Sequence, residues 1–130
     1  MPVSLTFDER RQWVISVFHG ELDDPSLRDR ARKLRADPRF HERMPELVDL
    51  TAVSAVSLTS EMMKVSARSR LHASGVRCVI LAVENRVFDF ARAYQVLRER
   101  NGMMGLRVVR TIPEAVEWLE ALDTREAAIA

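Results

Sequence analysis

VRCVILAV, residues 76–83, is almost unbroken apolar and rich in β-branched side chains. Gly75 stands before it and Glu84-Asn85 after it. A run that short, with those flanks, reads as a strand buried on both faces and not as a helix. Burial on both faces requires helices above and below, so the stretch predicts an α/β sandwich with this strand at its centre.

Before it, residues 58–73 read as a helix with two apolar sides. Leu58, Met62 and Val65 lie on one side, and Met63, Ala67 and Leu71 lie roughly opposite. Glu61, Lys64 and Arg68 fill a narrow third sector. Thr59 or Ser57 suits the N-cap, and Gly75 suits the C-terminal stop. Two apolar sides predict two contacts: the sheet, and a neighbouring helix, a ligand or a partner. ELVDLT, residues 46–51, precedes this helix as a short strand.

Downstream, Asn85 can cap a helix over residues 86–100, with Val87, Phe90, Tyr94 and Leu97 inward and Phe88 and Val96 pointing elsewhere. Asn101-Gly102 ends it. Residues 106–110 form the last strand, and Thr111 with Glu114 fits a capping box before an amphipathic helix bearing Ala115, Trp118, Leu119 and Leu122. Residues 123–130 are expected to fray, leaving one domain over residues 1–122.

At the other end, Val3, Leu5 and Phe7 alternate with Ser4 and Thr6, the period of a half-buried strand. A polar turn links it to an apolar run over residues 12–19, which predicts a hairpin. Asp24 then resembles an N-cap with Pro25 at the first helical position. Leu27, Ala31 and Leu34 share a face, and Arg28, Arg32 and Arg35 form a basic stripe beside it. Asp37-Pro38 stops the helix. The order is ββαβαβαβα: a mostly parallel five-stranded sheet with an antiparallel N-terminal edge strand.

The chain has 130 residues, 20 basic against 19 acidic, and a net charge of +1. That balance argues against a general nucleic-acid binder. No apolar run reaches the roughly 18 residues of a membrane span, and the N-terminus lacks the pattern of a signal peptide. A reducing cytoplasm is the expected setting. The single Cys78 lies inside the predicted central strand, where packing is its expected role. The histidines His19, His41 and His72 share no metal-ligand spacing, so no metal site and no cofactor are expected.

In an open sheet of this kind, ligands gather beyond the carboxyl ends of the strands, where helix N-termini converge. Asp49, Ser57, Thr59, Ser60 and Asn85 point there and form a candidate interaction or anion site. Free N–H groups at a helix start would stabilise a phosphorylated hydroxyl. Plain capping calls for the same residue types, and Asp49 could equally brace a loop. Leu58, Met62, Met63 and Phe88 form a candidate apolar surface for a ligand or partner, with core filling as the alternative.

Four phrases carry a family likeness: VISVFHGELD (14–23), LVDLTAV (47–53), VFDFARAYQVL (87–97) and RVVRTIPEAVEWL (107–119). With the element order, they resemble the STAS domain of bacterial anti-sigma factor antagonists. The likeness is greater to the uncharacterised bacterial STAS-like proteins grouped with SpoIIAA and the lipid-binding SEC14 fold. In the antagonists, an Asp-Ser-Ser-Gly signature is phosphorylated on its first serine. Laid on this chain, the signature falls on residues 57–60, and the acceptor position is Leu58, which has no hydroxyl. Thr59 substitutes only in a shifted register. The resemblance implies a non-catalytic domain whose surface near the second long helix meets another protein. The alternative it implies is a binder of a small apolar molecule or lipid. A third reading, an enzyme using Asp49 with a nearby hydroxyl, lacks a nucleophile–base pair. The spare apolar side of that helix and the sheet edge at the hairpin also leave room for self-association, for which a symmetric dimer is the commonest arrangement.

Overall fold

The computed structural model describes residues 3–121, so the tail expected to fray lies outside the described residues. Its elements are β1 (Val3–Asp8), β2 (Trp13–Leu22), α1 (Asp24–Ala36), β3 (Glu46–Val56), α2 (Ser60–Arg68), β4 (Cys78–Leu81), α3 (Asn85–Arg100), β5 (Leu106–Val109) and α4 (Ile112–Glu120). The order is ββαβαβαβα, as expected. The strands lie in sequence order across one five-stranded sheet, with β1 antiparallel to β2 and the other neighbours parallel.

Each crossover therefore steps to the next strand in the same direction. Right-handed crossovers that all step one way place their helices on one face. Accordingly, Leu27 of α1, Leu58 before α2 and Val87 and Ala91 of α3 pack in one cluster with Phe18, Leu50 and Ile80 of the sheet. The opposite face carries α4, where Ala115 and Leu119 meet Val79, Leu81 and Val109. Among the described residues the sandwich is thus unequal, with three helices on one side and one on the other.

Within the stretch that predicted the fold, Cys78–Leu81 form a strand buried on both faces, and Val83 beyond its end is exposed. Val79 and Leu81 lie under α4, and Ile80 lies in the three-helix layer. It is not the middle strand, however. β3 holds that place, with β4 between β3 and the edge strand β5. β3 is also longer than ELVDLT, because it follows β2 as far as Leu22 through two register shifts.

α2 ends at Arg68, well before Gly75. The Arg98 guanidinium of α3 donates from Nη1 to the carbonyls of Ser66, Ala67 and Ser69, at 3.3, 3.3 and 2.9 Å. Those carbonyls would otherwise be left open at the helix end. The chain beyond is drawn elsewhere: Ala73 N–H donates to the Glu42 carbonyl and Gly75 N–H to that of Met104. Two predicted caps shift by one residue. Asp23 caps α1 in a reciprocal pair with Ser26, and Glu84 caps α3, accepting from the Arg86 and Val87 N–H groups at 3.1 Å. The predicted stop at Asp37 and the Thr111 cap stand where expected.

Gly105 is required by contact as well as by conformation. Its φ is +106°, and a Cβ there would sit 2.3 Å from the Val76 carbonyl oxygen. Its own carbonyl accepts from Cys78 N–H and from the Trp118 indole, so it ties β4, β5 and α4 together.

Candidate functional site

α2 is held to α3 rather than laid flat on the sheet. The Ser66 and Tyr94 hydroxyls are 2.9 Å apart, and Arg98 grips the helix end from below. Between α2, α1 and the sheet lies a cavity of about 680 Å³. Phe18, Val48, Leu50 and Ile80 supply its sheet wall, and Leu27, Leu58 and Met62 its helical walls. It opens where exposed side chains border it: the arginine stripe Arg28, Arg32 and Arg35 of α1, together with Val65 and Arg68 of α2. A mostly apolar concavity of this size with a few convergent polar groups matches the form of small-molecule sites.

The polar groups stand at one end. Glu46 is the first residue of β3 and has no exposed surface. Its carboxylate accepts from Arg30 Nε at 2.9 Å and again from an Arg30 terminal nitrogen, in a forked pair. It also accepts from the Ser16 hydroxyl and faces His72 Nε2 at 2.8 Å. Cys78 is directly across from Glu46 in the β3–β4 register, beside His72. Burial pushes the Glu46 carboxyl upward, but the Arg30 charge and the His72 and Arg30 hydrogen bonds outweigh it and hold the group well below the usual carboxylate range. For His72, burial works against charge, yet the Cys78 and Glu46 side chains prevail and raise it to about 9. With His72 protonated, the Glu46 carboxylate stands between two cations, the Arg30 guanidinium and the imidazolium.

The residues expected at the anion site are dispersed. Asp49 lies on the α4 face by strand alternation with Leu47, and its carboxylate braces Thr51, accepting from the N–H at 2.9 Å and the hydroxyl at 2.7 Å. Thr59 caps α2, accepting from Met62 N–H at 3.1 Å. Its own N–H and hydroxyl donate to the Asp24 carboxylate, at 3.0 and 2.8 Å. The α2 N-terminus thus already meets an anion, supplied by α1. Ser57 donates its N–H to the Leu22 carbonyl, and Ser60 is exposed as the first residue of α2. Asn85 is not the cap of α3 but its first residue, and it accepts from Arg110 at 3.1 Å.

The apolar candidates divide. Leu58 and Met62 line the cavity, whereas Met63 and Phe88 do not. Phe88 lies 3.9 Å beneath the Arg110 guanidinium. Of the basic residues, Arg39 sits apart from the stripe, paired with Asp37 and stacked over Phe7.

Sequence reasoning passed over Ser16, Arg30, Glu46 and His72 as a set. A signal for two of them exists. Val14, Ser16 and Phe18 alternate inward on β2, as do Glu46, Val48 and Leu50 on β3, so strict period-2 counting puts Ser16 and Glu46 on the core face. A carboxylate there demands a buried cation.

No family model matches the chain, and no curated protein matches it. Among solved structures, it is similar to an uncharacterised protein of the DUF3478 family from Shewanella loihica PV-4, described as having a SpoIIAA-like fold. The two are 12% identical, with a TM-score of 0.57 over 90% of this chain and 91% of that one. No helix among the described residues is long and apolar enough to cross a membrane. The chain has a SpoIIAA-like fold.

Proposed function

We propose that this domain is a non-catalytic binding module whose ligand is a small amphiphile held in the cavity between α2 and the sheet. The cavity carries the reading: about 680 Å³ of mainly apolar space lies open at a rim that bears Arg28, Arg32 and Arg35. A fluorescent fatty acid titrated into the protein tests it. Saturable binding is expected, and it should vanish in Val48→Trp, whose indole fills the space while the fold persists. Equal binding by the Val48→Trp variant would reject the cavity as the site.

A second reading, a regulatory domain that meets another protein as the anti-sigma factor antagonists do, is favoured by exposed apolar groups at the same mouth. Val65 and Met104 are 48% and 54% exposed there. Leu58, at the phosphoacceptor position, faces the cavity, so this reading does not draw on a phosphorylated residue 58. Val48→Trp separates the two: it should abolish fatty-acid binding and leave capture of a partner protein intact.

A further inference from the structure

We infer that the inner end of the cavity is an anion subsite, in which His72 and Arg30 receive the carboxylate of an aliphatic acid while Glu46 holds both cations in place. The inference rests on the amphiphile reading and names the polar end of its ligand. Three observations support it. His72 is 5% exposed and lines the cavity, yet its buried Nδ1 meets no acceptor among the described residues beyond the Cys78 sulfur beside it. The Cys78 thiol beside the ring is only a weak acceptor. A buried N–H without a good acceptor is costly, and a bound anion would supply one. The fork between Arg30 and Glu46 uses Nε and one terminal nitrogen, leaving the other terminal nitrogen outside it. Glu46 also neutralises only one of the two cations it touches.

The size of the surplus selects the anion. With His72 protonated, one carboxylate faces two cations, and a monoanion balances the remaining charge, whereas a phosphate dianion would exchange a positive surplus for a negative one in the same low-dielectric place. The cavity offers apolar wall from Val48 and Ile80 outward, which suits an alkyl chain leading away from the charged end. The arginine rim lies at the mouth and would attract anionic ligands without fixing them.

The test compares an alkyl carboxylate, the alcohol of equal chain length and the corresponding alkyl phosphate, by calorimetry on the wild-type protein and on His72→Gln. Glutamine can still donate to Glu46, and Arg30→Lys is the companion variant should His72→Gln melt early. The carboxylate should bind the wild type about tenfold or more tightly than the alcohol. His72→Gln should reduce it to the level of the alcohol and leave the alcohol unchanged. Equal affinity of acid and alcohol in the wild type would overturn the subsite and leave the cavity reading standing. Binding of none of the three would overturn both. Preference for the phosphate would overturn the carboxylate assignment.

Discussion

Replacing Glu46 with glutamine removes the anion from a buried site that keeps its two cations. Arg30 and His72 side chains are only 15% and 6% exposed, so neither can turn to water for its solvation. Breaking such a pair by removing one partner costs about 3–5 kcal/mol. Part of that is recovered if His72 loses its proton, which relieves the repulsion from Arg30, so the lower half of the range is expected at pH 8 and the upper half at pH 6. For a domain of this length, each kcal/mol is worth roughly 4 °C, which gives a fall in Tm of about 12–20 °C. Thermal melts by circular dichroism at the two pH values are the assay. The companion variant, Arg30→Met with Glu46→Leu, removes the ion pair and leaves His72 to shed its proton. It should cost far less than Glu46→Gln alone, because apolar replacement of a buried pair is often neutral. A loss below about 1 kcal/mol in Glu46→Gln, or one that ignores pH, would refute the buried charge cluster.

Stability of the wild type should be greatest between about pH 4.5 and 6.5. His72 is raised from 6.5 to about 9, so its contribution is complete below 6.5 and is lost as pH rises through about 9. Glu46 is lowered from 4.5, so its contribution is present above 4.5 and lost on acidification. Urea midpoints across pH 3–10 would show the plateau, and a maximum above pH 9 would contradict it. Gly105→Ala should unfold or severely destabilise the domain, since the new methyl meets a backbone carbonyl that cannot swing aside; a melt within a few degrees of wild type would count against the close approach of Gly105 to the Val76 carbonyl. Thr59→Ala should cost about 1 kcal/mol, the usual value of an N-cap, and leave fatty-acid binding intact; a binding loss would return the α2 N-terminus to the functional site.

The architecture was legible because its signals are local. The apolar run at residues 76–83, the Thr111 cap and the proline stop after α1 each act within a few residues, and the strand–helix alternation follows from them. The extent of α2 was not legible, since its end is decided by Arg98, which lies 29 residues beyond Ser69 in sequence and meets it only after folding. The site was hidden for the same reason. Ser16, Arg30, Glu46, His72 and Cys78 come from five separate segments, and no spacing relates them. Of the residues that did look functional, Thr59 has the chemistry of a helix start and caps α2, whereas the cap of α3 is Glu84 and Asn85 accepts from Arg110.

Whether the cavity holds an amphiphile is decided by native mass spectrometry of the gently purified protein, before and after addition of an alkyl carboxylate. A single bound equivalent is expected on the wild type and none on Val48→Trp. A wild-type protein that stays at its bare mass with millimolar ligand present would contradict the binding role.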